Sequence, residues 1–321
     1  MKPKIFISQP VPEKVEQYLR EHCEVKEWRG EDRIPRETLL QEIANVEGLL
    51  TAWHKIDEEL LAAAPNLKVV SNVSVGYNNF DVEALRGRNV IGTNTPYVLD
   101  DTVADLTIAL MLATARRIAE LDQYVKAKKW EPVKDEALFF GVDVHHATIG
   151  IIGMGRIGEA VAQRAKFGFN MDVLYHNRSQ KPEAEKKYEA EYCELPDLLR
   201  RADFVVMLTP LTEETHHLLG EQEFKQMKKS AIFVNVSRGQ TVDELALITA
   251  LQNGDIYGAG LDVFQKEPIE KDNPLLEMSN VVTVPHIGSA TAQTREAMAM
   301  RAAQNIVSVL QGKGAIDPVY K

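Results

Sequence analysis

The segment "ATIGIIGMGRIGEAVAQRAKFGF", residues 147–169, constrains the fold of this chain more than any other part of it. An apolar run ends at about Ile152, glycines follow at Gly153, Gly155 and Gly158, and "EAVAQRAKF" continues with helical character. Strand, glycine turn and helix in that order make the phosphate-binding unit of a Rossmann-like, doubly wound parallel sheet. The first glycine permits a tight turn, the second lets backbone approach a diphosphate, and the third allows close packing of helix on strand. Free N–H groups at the positive helix end attract the phosphates. The rest of the chain agrees with this reading. "KIFIS", "GLLTA", "KVVSNV" and "NVIGTN" read as buried strands in the first hundred residues, with helical stretches such as Pro12–Glu21 and Pro35–Ala44 between them. The pattern resumes with "ATIGIIG", "MDVLYH", "FVVMLT", "AIFVNVS", "YGAGLDVF" and "VVTVPH". Apolar runs alternating with helices indicate an α/β fold with parallel sheets covered on both faces.

At 321 residues and 45% hydrophobic content the chain is too long for one ordinary core, so two domains are expected. Two long helical stretches interrupt the alternation, Asp100–Ala127 without Pro or Gly, and Ala292–Leu310. Each follows a turn-rich join, "GTNTPYVLD" and "PHIGSAT". Those joins predict a discontinuous domain of residues 1–99 plus 291–321 and an inserted domain of residues 100–290. The apolar stripe of the 100–127 segment exceeds what one domain can cover, which predicts a homodimer through it. The net charge of −10 argues against nucleic acid as a partner. Cys23 and Cys193 form no metal-ligand or disulfide pattern, so no metal is expected. The N-terminus lacks the apolar core of a signal peptide, and no run of about 18 apolar residues spans a membrane. The chain reads as soluble and cytoplasmic.

An NAD-binding turn is followed about 20 residues later by an acid that binds the adenosine ribose. Here the count from Gly158 arrives at His176, Asn177 and Arg178 in "VLYHNRSQ", with no acid present. A carboxylate would repel the 2′-phosphate of NADP, whereas guanidinium pairs with phosphate oxygens. Asn177, Arg178 and Ser179 therefore predict NADPH or NADP as the cofactor, with NADH weaker.

Three later segments place a reactive side chain at or beyond a strand end: Arg238 in "FVNVSRGQTVDE", Glu267 in "YGAGLDVFQKEP" and His286 in "VVTVPHIGSAT". In an open parallel sheet ligands bind beyond the carboxyl ends of the strands. Hydride transfer from a nicotinamide to a carbonyl needs a proton on the carbonyl oxygen. His286 is the natural proton donor, Glu267 would orient the imidazole, and Arg238 would polarise the carbonyl and clamp an acidic group beside it. No GxSxG nucleophile elbow is present, which argues against a hydrolase.

The turn "GMGRIG", then "SRGQTVDE", "GLDVFQKEP" and "PHIGSAT", together with the crossover helix "DDTVADLTIALML", resemble the D-isomer-specific 2-hydroxyacid dehydrogenases over essentially the whole chain. Within that family "SNVSVGYNNFD" and "YHNRSQ" look most like the glyoxylate/hydroxypyruvate reductases and the related 2-ketogluconate reductases. The resemblance implies a flavodoxin-like α/β substrate domain beside the cofactor domain. It carries the catalytic roles onto Arg238, Glu267 and His286. It places the substrate carboxylate on Ser74, Val75 and Gly76 as well as on Arg238 and His286. Free backbone N–H groups in a turn such as 74–76 suit a carboxylate on physical grounds too. The cofactor contacts implied are Thr102, Gly153, Met154, Gly155, Arg156, Ile157, Gly158, Leu208, Thr209, Pro210, Thr215, Val236, Ser237, Arg238, Asp262, His286 and Gly288. Trp53 and His54 either size the substrate pocket or pack, and Trp130 reads as core or interface packing ahead of the alternative, a cap on the site from a neighbouring subunit. The expected activity is NADPH-dependent reduction of small 2-keto acids: glyoxylate, hydroxypyruvate and, by the same resemblance, 2-ketogluconate. The competing readings are another D-2-hydroxyacid dehydrogenase of phosphoglycerate or D-lactate type, and a nucleotide-sensing corepressor-like protein.

Overall fold

The structure, a computed structural model, describes residues 2–132 and 136–320. The chain divides into two compact units, Met1–Leu99 with Ala290–Lys321, and Asp100–Ser289.

Among the described residues the first unit holds a five-stranded sheet of β1 (Lys4–Ile7), β2 (Glu24–Glu27), β3 (Gly48–Thr51), β4 (Val69–Asn72) and β5 (Ile91–Thr93). All neighbours are parallel, in the order β2-β1-β3-β4-β5, which is the flavodoxin-like arrangement. Helices α1 (Glu13–His22), α2 (Arg36–Glu42), α3 (Glu58–Ala63) and α4 (Val82–Gly87) make the crossovers. The central strands are apolar on both faces because helices cover both, and Ile5, Ile7, Leu49, Leu50, Val69 and Val70 are fully buried. Asp57 and Asp81 start α3 and α4 by accepting hydrogen bonds from the backbone N–H groups of Leu60 and Ala84.

In the second unit the sheet has seven strands among the described residues: β6 (Thr148–Ile152), β7 (Asp172–His176), β8 (Glu191–Tyr192), β9 (Phe204–Met207), β10 (Ile232–Asn235), β11 (Gly258–Leu261) and β12 (Val281–Thr283). They are parallel in the order β12-β11-β10-β9-β6-β7-β8, so strand order reverses between β6 and β9, as in a dinucleotide-binding sheet. Its helices are α5 (Asp100–Ala115), α6 (Ile118–Lys126), α7 (Arg156–Phe169), α8 (Pro182–Tyr188), α9 (Leu195–Arg201), α10 (Glu221–Gln226) and α11 (Glu244–Asn253). The last helix, α12 (Ala292–Leu310), returns to the first unit, where Ile306 packs against Gly48 of β3. On one face of the second sheet Phe224 and Phe233 meet edge to face, with ring centroids 5.6 Å apart. Each such buried ring stabilises the core by about 1.5–3 kcal/mol.

Three details differ from the sequence reading. The apolar pattern missed the edge strands β2 and β8, since "EVKE" is charged on its way past solvent and "EY" is only two residues long. The 100–127 segment is two helices, not one. Arg117 takes a left-handed conformation, φ 54°, between α5 and α6. Its guanidinium is held there by both oxygens of Glu120, at 2.7 and 2.8 Å, and by the Phe140 carbonyl at 3.3 Å. Trp130 is 70% exposed, so it is not a core residue of this chain. No helix among the described residues is long and apolar enough to cross a membrane.

Candidate active site

The carboxyl ends of β10, β11 and β12 lie side by side, and each continues into a loop that carries one of the three reactive side chains. Arg238 follows β10, Glu267 follows β11 and His286 follows β12. His286 Nδ1 is 2.7 Å from Glu267 Oε2. With Glu267 on Nδ1, the imidazole keeps Nε2 for a substrate. Burial works to raise the Glu267 pKa, but the hydrogen bond and charge of His286, the Phe264 N–H and the Arg238 charge outweigh it. The carboxyl is held below its ordinary range. Phe264 N–H donates to the other oxygen at 3.1 Å. Burial lowers the Arg238 pKa and Glu267 opposes that, which leaves the guanidinium charged.

The loops that carry these groups are fixed by buried polar side chains. Asn235, the last residue of β10, accepts from the Ser237 N–H at 3.0 Å and the Ser237 hydroxyl at 2.9 Å, and donates to the Arg238 carbonyl at 3.1 Å. Asp262, just beyond β11, accepts the Ile287 N–H at 2.6 Å and the Gly288 N–H at 2.9 Å, one on each oxygen. It thereby grips the two residues after His286, which itself has φ 52°. Burial raises the Asp262 pKa, and the Ile287 N–H, His286 and the Gly288 N–H oppose that shift. Asn235 was not singled out by the sequence reading, and Asp262 was singled out for a different role. The available signal was a polar residue closing an apolar strand, "IFVN" and "GAGLD".

On the same edge, the glycine turn follows β6, the Asn177–Ser179 loop follows β7, and Leu208, Thr209 and Pro210 follow β9. Gly153 has φ 107°, and a Cβ there would stand 2.9 Å from the Leu208–Thr209 backbone, so only glycine fits. A Cβ on Gly158 would collide with the Gly153 carbonyl, which shows how closely α7 abuts the strand end. A Cβ on Gly155 would meet nothing within 4 Å. That open space over the first turn of α7 is a cradle for a diphosphate. Arg156 lies at the start of α7 with its Nε 3.1 Å from Asp100, and Thr102 lies in the first turn of α5. The 177–181 loop is tied from beneath by the buried Tyr175, whose hydroxyl accepts the Lys181 N–H at 2.7 Å and donates to Glu185 at 2.6 Å. Arg178 is exposed and, among the described residues, forms no ion pair, although its charge helps hold Glu214 below the ordinary carboxyl range after Thr212 and the local backbone. Thr215 is spent on its own loop, with its hydroxyl 2.6 Å from the Pro210 carbonyl. The residues present therefore fit a dinucleotide carrying an additional phosphate.

The turn at Ser74, Val75 and Gly76 belongs to the first unit. All three carbonyls face away from it: Thr95 N–H bonds Ser74 O at 3.0 Å, Asn94 Nδ2 bonds Val75 O at 2.7 Å and Asn72 Nδ2 bonds Gly76 O at 2.7 Å. The amide N–H groups of the same three residues have no partner among the described residues. Consecutive free N–H groups of this kind form a nest for an oxyanion.

The family model for the D-isomer specific 2-hydroxyacid dehydrogenase, NAD binding domain, matches residues 108–288. This chain belongs to the D-isomer specific 2-hydroxyacid dehydrogenase family. A dehydrogenase of this family from Escherichia fergusonii, glyoxylate/hydroxypyruvate reductase B, is 51% identical over 321 residues, 99% of each chain. Its namesake from Klebsiella pneumoniae subsp. pneumoniae is 50% identical over 327 residues, all of both chains. Among solved structures, a Thermus thermophilus protein superposes with a TM-score of 0.91 at 42% identity, covering 98% of this chain and 99% of that one. An NADPH-dependent glyoxylate/hydroxypyruvate reductase from Sinorhizobium meliloti, in complex with NADP and malonate, gives 0.86 at 31% identity, covering 100% and 97%. Among the described residues of this dehydrogenase no group of three or more His, Cys, Asp or Glu side chains could hold a metal ion. Cys23 and Cys193 are buried free thiols, both pushed up to about 11 by burial.

Proposed function

We propose that this dehydrogenase reduces glyoxylate to glycolate, and hydroxypyruvate to the D-2-hydroxy acid glycerate, with NADPH. The reading is carried by the Glu267–His286 pair at 2.7 Å on the loops next to that of Arg238, in a chain alike to glyoxylate/hydroxypyruvate reductases over its full length. Bound NADPH supplies the hydride. His286 delivers a proton from Nε2 to the carbonyl oxygen, and Glu267 on Nδ1 stabilises the charged imidazole that makes the proton available. Arg238 binds the carboxylate bidentately and polarises the carbonyl. Ser74, Val75 and Gly76 have free amides suited to a substrate carboxylate. Gly153, Gly155 and Gly158 with Met154, Arg156 and Ile157 receive the diphosphate, and Asn177, Arg178 and Ser179 the 2′-phosphate. Thr102, Leu208, Thr209, Pro210, Val236, Ser237 and Gly288 complete the cofactor contacts, while Thr215 and Asp262 hold their loops in place.

The proposal extends to 2-ketogluconate as a longer substrate and to a homodimer through α5 and α6. Buried contacts account for one face of α5, but α6 buries no residue, and Ile118, Val125 and Phe140 are exposed large apolar side chains. The unpaired thiols support a cytoplasmic location. The deciding experiment is a panel of initial rates with glyoxylate, hydroxypyruvate, 2-ketogluconate and pyruvate, each with NADPH and NADH. Turnover of the first two with NADPH is expected. A preference for pyruvate, or no turnover at all, would overturn the reading.

A further inference from the structure

Beyond the carboxylate nest, the first unit carries a cation that no carboxylate among its described residues pairs with. Arg33 is exposed, and among the described residues it forms neither an ion pair nor a hydrogen bond. The neighbouring cations differ in this respect. Arg36 is bound by Asp57 and by Glu59 at 3.0 Å, and Lys55 lies 3.8 Å from Asp57. Arg33 stacks on an aromatic face: its guanidinium carbon lies 4.7 Å from the Trp53 ring centroid. Trp53 is itself 50% exposed, so the indole is a platform and not core packing.

The connection that carries Trp53 adjoins the connection that carries the nest. Trp53 follows β3, and the nest follows β4, its parallel neighbour, with Thr51 opposite Asn72. The two connections are stitched together on both sides of Trp53. Val73 N–H donates to the Thr51 carbonyl at 2.7 Å, and Asn79 Nδ2 donates to the His54 carbonyl at 2.9 Å. Burial, then the charges of Arg36 and Arg33, keep His54 below its ordinary pKa, so the rim stays free of an added histidine charge while Arg33 remains uncompensated.

We propose that Arg33, stacked on Trp53, is a subsite for a second anionic group at the far end of the 2-keto acid, a carboxylate or a phosphate. The inference rests on the reading that Ser74–Gly76 takes the reacting end of such an acid. Stacking leaves the edge of the guanidinium, where its N–H groups lie, free for bidentate pairing. It also restrains the side chain before binding, which lowers the entropy lost when the pair forms. Glyoxylate and hydroxypyruvate have no anionic tail and do not use the subsite.

The test compares kcat/KM with NADPH for 2-oxoglutarate and phosphohydroxypyruvate against 2-oxopentanoate and hydroxypyruvate, in the native protein and in Arg33→Ala and Arg33→Lys. The ratio of anionic-tailed to neutral-tailed substrates should fall about tenfold in Arg33→Ala, the worth of one solvent-facing charge-assisted pair. Arg33→Lys should fall between the two. The two anionic substrates tell carboxylate from phosphate. A ratio unchanged by Arg33→Ala, or an equal loss for all four substrates, overturns the subsite. So does a native protein that turns over hydroxypyruvate but neither of the anionic-tailed acids. Failure of the native protein on hydroxypyruvate would instead overturn the activity on which the subsite rests.

Discussion

Asp262→Asn separates two roles for a buried carboxylate. The native oxygens each hold one backbone N–H, Ile287 at 2.6 Å and Gly288 at 2.9 Å, with Asp262 only 1% exposed. Asparagine keeps one acceptor and turns an NH₂ group against the other donor. A charge-assisted bond contributes about 1.5–3 kcal/mol, and stranding a buried N–H costs about 1–3 kcal/mol. Because these overlap, the expected loss is about 3 kcal/mol. For a unit of this size that lowers its unfolding midpoint by roughly 6–12 °C. The loop has a cheaper way out. His286 is held at φ 52°, a left-handed conformation that costs roughly 1–2 kcal/mol, and the Asp262 bonds offset that cost. Released, the loop relaxes and the imidazole leaves its alignment with Glu267. A displacement of about 1 Å costs on the order of 100-fold in rate. The assay is steady-state kcat with hydroxypyruvate, alongside NADPH affinity by fluorescence titration and thermal unfolding. We expect kcat to fall on the order of 100-fold and the NADPH Kd to move less than about threefold, under 1 kcal/mol. An unchanged kcat with a weakened NADPH Kd would refute the reasoning, and would show that the carboxylate serves the cofactor and not the loop.

Four further outcomes are expected. Arg178→Ala should raise KM for NADPH by about tenfold or more and leave KM for NADH nearly unchanged, since only the former carries the 2′-phosphate; steady-state titration of both cofactors checks it. His286→Ala should reduce kcat by about 10²–10⁴-fold while NADPH binding persists, because proton transfer is lost and the glycine turn is untouched. Glu267 has a lowered folded pKa, so its contribution to stability is present above the unfolded carboxyl value, about 4.3, and fades only as pH falls through the lower folded value. Glu267→Gln should remove that acid dependence from thermal unfolding, as measured by unfolding midpoints across pH, and lower kcat by loosening the imidazole. Sedimentation at micromolar concentration should give twice the chain mass, and Val125→Glu should shift it toward the monomer.

The fold class was legible because its signals are strong and local. Buried parallel strands are continuous apolar runs, and β1, β3, β4 and the strands from β9 to β11 are of that kind. At the sheet edges β5 and β12 are still apolar, whereas β2 is charged and β8 only two residues long, so β2 and β8 left no such trace. The break at Arg117 was illegible for another reason: no Gly or Pro marks it, and its left-handed residue is held by Glu120 and a carbonyl 23 residues away, a tertiary effect. The glycine turn was readable position by position, because each glycine answers a separate steric demand, and the consequence of adding a Cβ differs at Gly153, Gly155 and Gly158 accordingly. Arg33 and Trp53 lie 20 residues apart, and only the fold stacks them.

What the catalytic loops share explains why their anchors were hard to see. A strand ends where its hydrogen-bond ladder ends, so the next few backbone groups need other partners. In this chain those partners are polar side chains at or just past the final strand position. Asn72 ends β4 and holds the Gly76 carbonyl, Asn94 follows β5 and holds Val75, Asn235 ends β10 and holds Ser237 and Arg238, and Asp262 follows β11 and holds Ile287 and Gly288. In the first unit this turns carbonyls away and leaves amides free; in the second it fixes the backbone beside Arg238 and His286. An Asn or Asp that closes an apolar run in such a sheet is buried where a hydrophobic residue would be the default, and burial of an amide or carboxylate is tolerated only when its bonds are made. Its presence in the sequence therefore reports a loop whose conformation is specified, and in this chain those loops are the ones that carry the proposed chemistry.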